Sequence, residues 1–233
     1  MGTPLNDLDP FDVYDAEAAR LEAHFAGLTG DAWDRPSRCE GWSVRDVLAH
    51  LAGGELYNRA CLDDDLQGLF ALLEKEGASD LTSFNDWSVS SRRGRPVAEV
   101  LEEWREENRA TRRRMRERGA EAMLPTMSGP YPVGPQTFHY SSELATHADD
   151  IGVPVAEGEE PGRSAWRARV ALFALAEADS SAEVTQTDGG FRVRLDGESV
   201  DLSRPDFVAA TTARLPEGHP LPPAFRDALR CLA

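Results

Sequence analysis

The feature that most constrains this chain is a change of hydrophobic period along its length. Through the first two-thirds, apolar residues recur at spacings of three and four; past a proline- and glycine-bearing break at 153–162 they fall into short runs divided by turn dipeptides. Spacings of three and four place side chains on one face of a helix, whereas short runs closed by Asp-Gly and Gly-Gly belong to hairpins. The chain therefore reads as mainly α, with residues 1–153 forming a helical bundle. Residues 163–233 read as a small α+β domain with a short antiparallel sheet.

Four stretches carry the helical stripe. From about Asp12 to Gly27 it is Tyr14, Ala18, Leu21, Phe25 and Leu28. A second helix opens at Ser43, a capping residue with Asp46 facing the positive helix end, and Trp42 and Val47 are spaced as a hydrophobic staple. After a short helical piece at Leu66–Leu73 and a polar loop expected over Gly77–Pro96, a third helix turns Val97, Val100, Leu101, Trp104 and Met115 inward. Its end is crowded by Arg112, Arg113, Arg114, Arg116 and Arg118, cations that suit a helix C-terminus and follow a run of glutamates, as on a charged solvent face. Gly129–Pro135, with three prolines and two glycines, is expected to be a loop. The fourth helix should run from about Thr137 to Ile151 and stop at Gly152 in the left-handed capping conformation. Beyond the break, a helix from Ser164 to about Ala178 precedes strands at Glu183–Thr185, Phe191–Leu195 and Ser199–Leu202. Helices from Ser203 to Leu215 and from Pro223 to Leu232 close the chain.

With 233 residues the chain can bury a core without staples. Its 41 acids against 25 bases, a net charge of -16, repel phosphate backbones and anionic lipid, so neither nucleic acid nor a membrane surface is an expected partner. The longest apolar run, Val170–Ala178, is broken by Glu177 and falls far short of the ~18 residues a membrane span needs. The acidic start has no charged-then-apolar leader, which makes the cytoplasm the expected location. Cys39, Cys61 and Cys231 form no CxxC, so neither a disulfide framework nor a cysteine zinc site is encoded. Lys75 is the single lysine among the bases; such an arginine bias points to a GC-rich bacterial genome.

The chemistry concentrates in Glu143-x-x-x-His147. Residues four apart share a helix face, so these two can grip one ion, with Tyr140 and Asp150 on the same line. On the second helix His50 faces inward with Val47, Gly54 and Tyr57, and Gly54 leaves space one turn away. Helix bundles build metal sites from carboxylates and imidazoles that project inward from facing helices. The same spacing also recurs as a surface ion pair, and a histidine such as His50 can sit in a core bonded to a carbonyl. Cys39, just before a helix start, fits a small buried apolar residue better than a reactive thiol. Arg192 and Arg194 alternate with Phe191, Val193 and Leu195; they could meet an anionic substrate or form a solvated face. His24, His139 and His219 have no partner at ligand spacing.

Two segments carry a resemblance. Trp33 with Pro36-Ser37-Arg38-Cys39-Glu40-Gly41-Trp42-Ser43-Val44-Arg45-Asp46-Val47-Leu48-Ala49-His50-Leu51, and then Glu143-Leu144-Ala145-Thr146-His147-Ala148-Asp149-Asp150-Ile151, resemble the paired signatures of the mycothiol-dependent maleylpyruvate isomerase family. That family is part of the DinB-like metalloenzyme superfamily. The resemblance implies a DinB-like four-helix bundle followed by a small α+β domain. It also implies a divalent metal held by His50, Glu143 and His147, usually zinc, with nickel or iron suited to the same donors. Gly152 and Val153 stand where relatives often carry arginine and alanine. Three protein ligands leave a position open for a small thiol, mycothiol in this family, which the ion would hold as thiolate for transfer to, or isomerisation of, a small-molecule substrate. By its spacing alone, Asp150, three residues after His147, could orient a ligand or a substrate group from behind, or be a plain acid on the surface of the helix end. Two other readings stand beside this one: a metal-dependent tailoring enzyme using the ion as Lewis acid without a thiol, and a non-catalytic binding module.

Overall fold

The structure, a computed structural model, describes residues 4–232. Its first helices are α1 (Pro10–Gly27), α2 (Val44–Leu62), α3 (Leu66–Lys75), α4 (Leu81–Ser90) and α5 (Val97–Arg118). A hairpin of β1 (Met123–Thr126) and β2 (Gly129–Pro132) leads into α6 (Val133–Asp150). The remainder is α7 (Glu160–Glu177), β3 (Glu183–Thr187), β4 (Gly190–Leu195), β5 (Glu198–Ser203), α8 (Arg204–Thr211) and α9 (Pro223–Leu229). Two compact units result: Asp9–Val153, and Pro154–Ala233 together with Met1–Leu8.

The first unit is a four-helix bundle of α1, α2, α5 and α6. Each helix contributes the stripe its sequence carries: Tyr14, Leu21 and Phe25 from α1, Val47, Leu48 and Leu51 from α2, Leu101, Trp104 and Met115 from α5, and Leu144 and Ala148 from α6. Phe25 stands edge-on to Trp104, ring centroids 5.5 Å apart, and stacks on Trp33 at 5.6 Å. The caps are local. Asp9 accepts from the amides of Phe11 and Asp12, and Asp46 accepts from both the amide and the hydroxyl of Ser43, at 3.0 and 2.8 Å. The arginines at the end of α5 do more than face solvent. Arg112 and Arg116 reach Asp15 and Asp12 of α1, and Arg114 and Arg118 reach Asp63 and Asp64 beyond α2.

Three expectations are corrected here. The loop assigned to Gly77–Pro96 contains α4, capped by Asp80. Its stripe is sparse, with only Phe84, Ser88 and Val89 buried, and it is held by close approach to α2. A Cβ on Gly53 would meet that of Ser88 at 2.3 Å, so the crossing requires glycine there. The loop assigned to Gly129–Pro135 is instead a strand and a helix start, since Pro130 and Pro132 lie on a two-stranded hairpin where missing amides are tolerated. Pro135 falls in the first turn of α6, where the amide has no intrahelical partner. For the same reason Pro161 does not delay α7, which begins at Glu160 instead of Ser164. At the far end of α6, Gly152 takes φ 73° and Val153 N donates to Ala148 O at 2.9 Å, the expected left-handed stop.

In the second unit β3, β4 and β5 form an antiparallel sheet in sequence order. Asp196 and Gly197, both at positive φ, turn the second hairpin. Phe191, Val193, Leu195 and Leu202 pack on Ala168, Leu175, Phe207 and Phe225 from the helices. The α8 helix stops at Thr211, short of Leu215. Arg169 of α7 donates from Nε to the carbonyl of Pro4 at 2.6 Å and from its guanidinium to that of Asn6, which ties the chain start to this unit. Among the described residues no helix is long and apolar enough to cross a membrane.

Candidate metal centre

The α2 and α6 stripes bring His50, Glu143 and His147 together. One ligand atom from each lies within 4.8 Å of the others, and His50 Nε2 is 3.2 Å from Glu143 Oε1. Donors that share one zinc-like ion at about 2.1 Å stand about 3.4 Å apart at tetrahedral angles, so the donor set and its spacing fit a divalent cation with little movement. The imidazoles are buried and their rings meet edge-on, centroids 4.8 Å apart, while the Glu143 side chain is 45 % exposed. The arrangement is a cup with two imidazoles in its wall and a carboxylate at its mouth. A Cβ on Gly54 would meet nothing within 4 Å, so the space expected one turn from His50 is open.

The electrostatics suit a ligand set. Burial lowers the His147 imidazole below its ordinary value, more than its hydrogen bond to Asp150 raises it, so the ring is neutral at pH 7 and keeps a lone pair for an ion. Packing around the Glu143 carboxyl pushes it up, but the hydrogen bond and charge of His50 outweigh this, and the net result lies below the usual glutamate range. His50 Nδ1 is buried without a protein partner among the described residues.

Around this trio the structure adds contacts that spacing does not reveal. Trp42 caps the His50 ring at a centroid distance of 5.1 Å, so it walls the site besides packing against the core. Asp150 is fully buried, its Oδ2 lying 3.2 Å from His147 Nδ1, which places it behind the ring and not on the helix surface. Cys39 is not simply apolar filler, because its Sγ lies 3.2 Å from Asp150 Oδ2 and 3.8 Å from His147 Nδ1. Deeper in the bundle, Glu55 accepts from Asn58 and Asn108 at 3.0 and 2.8 Å and from the Thr111 hydroxyl at 2.6 Å, while Asn108 also donates to Tyr14 Oη. Burial raises the Glu55 carboxyl. Tyr140 stays on the polar line of α6, its hydroxyl buried without a partner among the described residues. A buried Glu five residues after His50 is the one sequence sign of this network; Cys39 and His147, 108 positions apart, offered none.

The other candidates lie elsewhere. Arg192 forms a two-pronged ion pair with Asp201 across β4 and β5, at 2.8 and 2.9 Å, and Arg194 is exposed on that strand. His139 meets Tyr131 and His219 lies near Asp206; among the described residues no ligand cluster includes them or His24.

A four-helix bundle with a His, Glu, His cup on two of its helices defines the class as a helical bundle with a candidate metal centre. Residues 14–152 match the family described as mycothiol maleylpyruvate isomerase N-terminal domain, and the chain belongs to that family. Two solved structures share the fold. The crystal structure of the mycothiol-dependent maleylpyruvate isomerase aligns at a TM-score of 0.65 with 14 % identity over 94 % of each chain. A histidine-to-alanine mutant of that isomerase aligns at 0.64 with 14 % identity over 92 % of this chain and 93 % of its own. Among curated proteins no match is found.

Proposed function

We propose that the protein is a divalent-metal-dependent enzyme, with zinc the first choice of ion, that activates mycothiol or a related small thiol. The thiol would be transferred to a small-molecule substrate or used to isomerise it. The observation that carries this reading is the trio itself: two buried imidazoles and one accessible carboxylate, converging from two helices in a member of this family. When bound, the ion would supply acidity, since a thiol of pKa about 8.5 is deprotonated on coordination to a metal.

The chain's own residues would do the rest. His50 and His147 would hold the ion from the wall of the cup, and Glu143 would hold it at the mouth, beside the approach of thiol and substrate. Asp150 would accept the Nδ1 proton of His147 and so fix the tautomer that turns Nε2 toward the ion. Trp42 would keep water from one face of His50. The acidic composition fits a cytoplasmic enzyme, and the arginine-rich set of bases fits the GC-rich genome of an actinobacterium.

The test is metal analysis of the purified protein followed by calorimetric titration with mycothiol, with and without chelator. About one ion per chain and chelator-sensitive thiol binding are expected. Thiol-independent turnover by an ion-loaded protein that ignores every small thiol would instead favour Lewis-acid catalysis.

A further inference from the structure

We propose that Cys39 is a positioning residue for His147, acting through Asp150, an inference that rests on the ligand assignment above. The Asp150 side chain is wholly excluded from solvent, and a buried carboxylate is stable only while donors satisfy it. Two of its donors converge on one oxygen: His147 Nδ1 and Cys39 Sγ each lie 3.2 Å from Oδ2. A carboxylate gripped from two sides cannot rotate freely, so the thiol holds the oxygen where the imidazole N–H needs it.

The loop that carries Cys39 is itself anchored to the end of α6. Arg38 N donates to the Asp150 carbonyl at 2.9 Å. Cys39 N donates to Ser37 Oγ at 3.1 Å, the Ser37 hydroxyl donates to Trp42 O at 2.8 Å, and Trp42 N donates back to Cys39 O at 3.0 Å. Gly41, at φ 75°, makes the turn that closes this small ring of bonds. Packing alone would need none of it. The loop thus brings one backbone amide and one thiol to the residue that stands behind a proposed ligand.

A rival account uses the same atoms. Cys39 Sγ, His147 Nδ1 and Asp150 Oδ2 all lie within 4.8 Å of one another and could grip a thiophilic cation. The two sites compete for one ring, however, because a neutral imidazole offers one lone pair and one N–H. If Nε2 serves the ion shared with His50 and Glu143, Nδ1 must carry the proton and donate to Asp150. In that state Cys39 is a hydrogen-bond donor and not a ligand.

The experiment measures zinc affinity of the full chain by competition with a chromogenic chelator, together with the melting temperature of each metal-free protein. Cys39→Ala removes the donor, and Cys39→Val removes it while keeping volume should the alanine variant fold poorly; Cys39→Ser restores a donor. We expect the alanine and valine variants to bind zinc about 10-fold more weakly and serine to stay within about threefold of the native protein. Metal-free melting temperatures should fall modestly in the alanine and valine variants, where Asp150 loses a donor, and recover in serine. Native affinity in Cys39→Ala or Cys39→Val reduces the thiol to packing and overturns the proposal. So does a serine variant as weak as alanine, and two cadmium ions per native chain would identify the thiophilic site as the reason. A native protein that binds no zinc fails before any variant is made, and that failure belongs to the proposed function itself.

Discussion

The two units bury different kinds of side chain. Every buried acid among the described residues, Glu17, Asp46, Glu55 and Asp150, lies in the helical bundle, along with His50, Asn58, Arg92, Asn108 and His147. The second unit buries no acid among the described residues, though Arg163 and Arg167 of α7 are buried, and beneath its sheet the core is Phe191, Val193, Leu195, Phe207, Phe225 and Leu229, with Phe191 stacked on Phe207 at 4.2 Å. A dry core is the simpler route to stability, because a buried charge costs several kcal/mol unless its partners are well placed. The bundle therefore carries an expense that packing alone does not explain. Some of its polar groups cap helices or pair across the surface, as Asp46 does with Ser43 and Arg92 with Glu103, but Asp150 and Cys39 stand directly behind His147 in the cup, where chemistry would use them.

The largest expected effects test this contrast. Phe207→Ala should cost about 3 to 5 kcal/mol of stability by emptying the second core, and the folded fraction should still bind its ion with native stoichiometry; calorimetry and metal analysis on the same sample check both. His147→Ala should do the reverse. Ion affinity should fall at least about 100-fold, while the metal-free fold loses only about 1 to 3 kcal/mol because Asp150 is deprived of a donor. If the two variants behaved alike, the division of labour drawn here would be false.

Asp150→Asn comes next. If the carboxylate orients His147, zinc affinity should drop about 10- to 100-fold with little change in melting temperature. An unchanged affinity would leave Asp150 as a buried structural acid.

Acid should separate the units as well. Burial raises the carboxyls of Asp46 and Glu103, but Arg93 with Ser43 in the first case and Arg92 with Arg95 in the second more than reverse it, so both lie below their ordinary values. A lowered carboxyl adds stability that is present above about pH 4 and is lost as pH falls through its folded value. Glu55, raised by burial, works in the opposite sense: its contribution is full below about pH 4 and declines as pH rises through its raised value. Glu103→Gln should therefore flatten the acid limb of the bundle's stability curve, as measured by urea denaturation between pH 3 and pH 6. A limb as steep as the native one would show that other groups drive acid unfolding. The smallest effect is expected on the sheet surface. The Arg192–Asp201 pair is fully solvated, so Arg192→Ala should leave the unfolding midpoint within error.

Much of this was legible in the chain itself. The α1, α2, α5 and α6 stripes are the ones read from spacing, and Gly152 and Asp196-Gly197 turn where glycine chemistry says they should. The α4 helix escaped because three buried side chains make no visible period and its support, the Ser88 approach to Gly53, is long-range. The β1–β2 hairpin escaped because prolines that break a helix interior are harmless at a strand edge or in a first turn.

Local periodicity and capping, which act over three or four residues, determined from sequence alone that this chain has a helical part, a hairpin part and a stripe bearing Glu143 and His147. Which distant residues meet that stripe was decided by tertiary packing. His50 closes the trio because α2, packed on α5, and α6, packed on α1, turn these side chains to one point, Cys39 and Trp42 join it because the loop 37–42 is tied to Asp150, and Glu55 finds Asn108 and Thr111 only because α5 packs on α2. Side chains separated by 50 to 110 positions leave no period in the chain, and only the buried geometry brings their donors and acceptors within 3 Å or so.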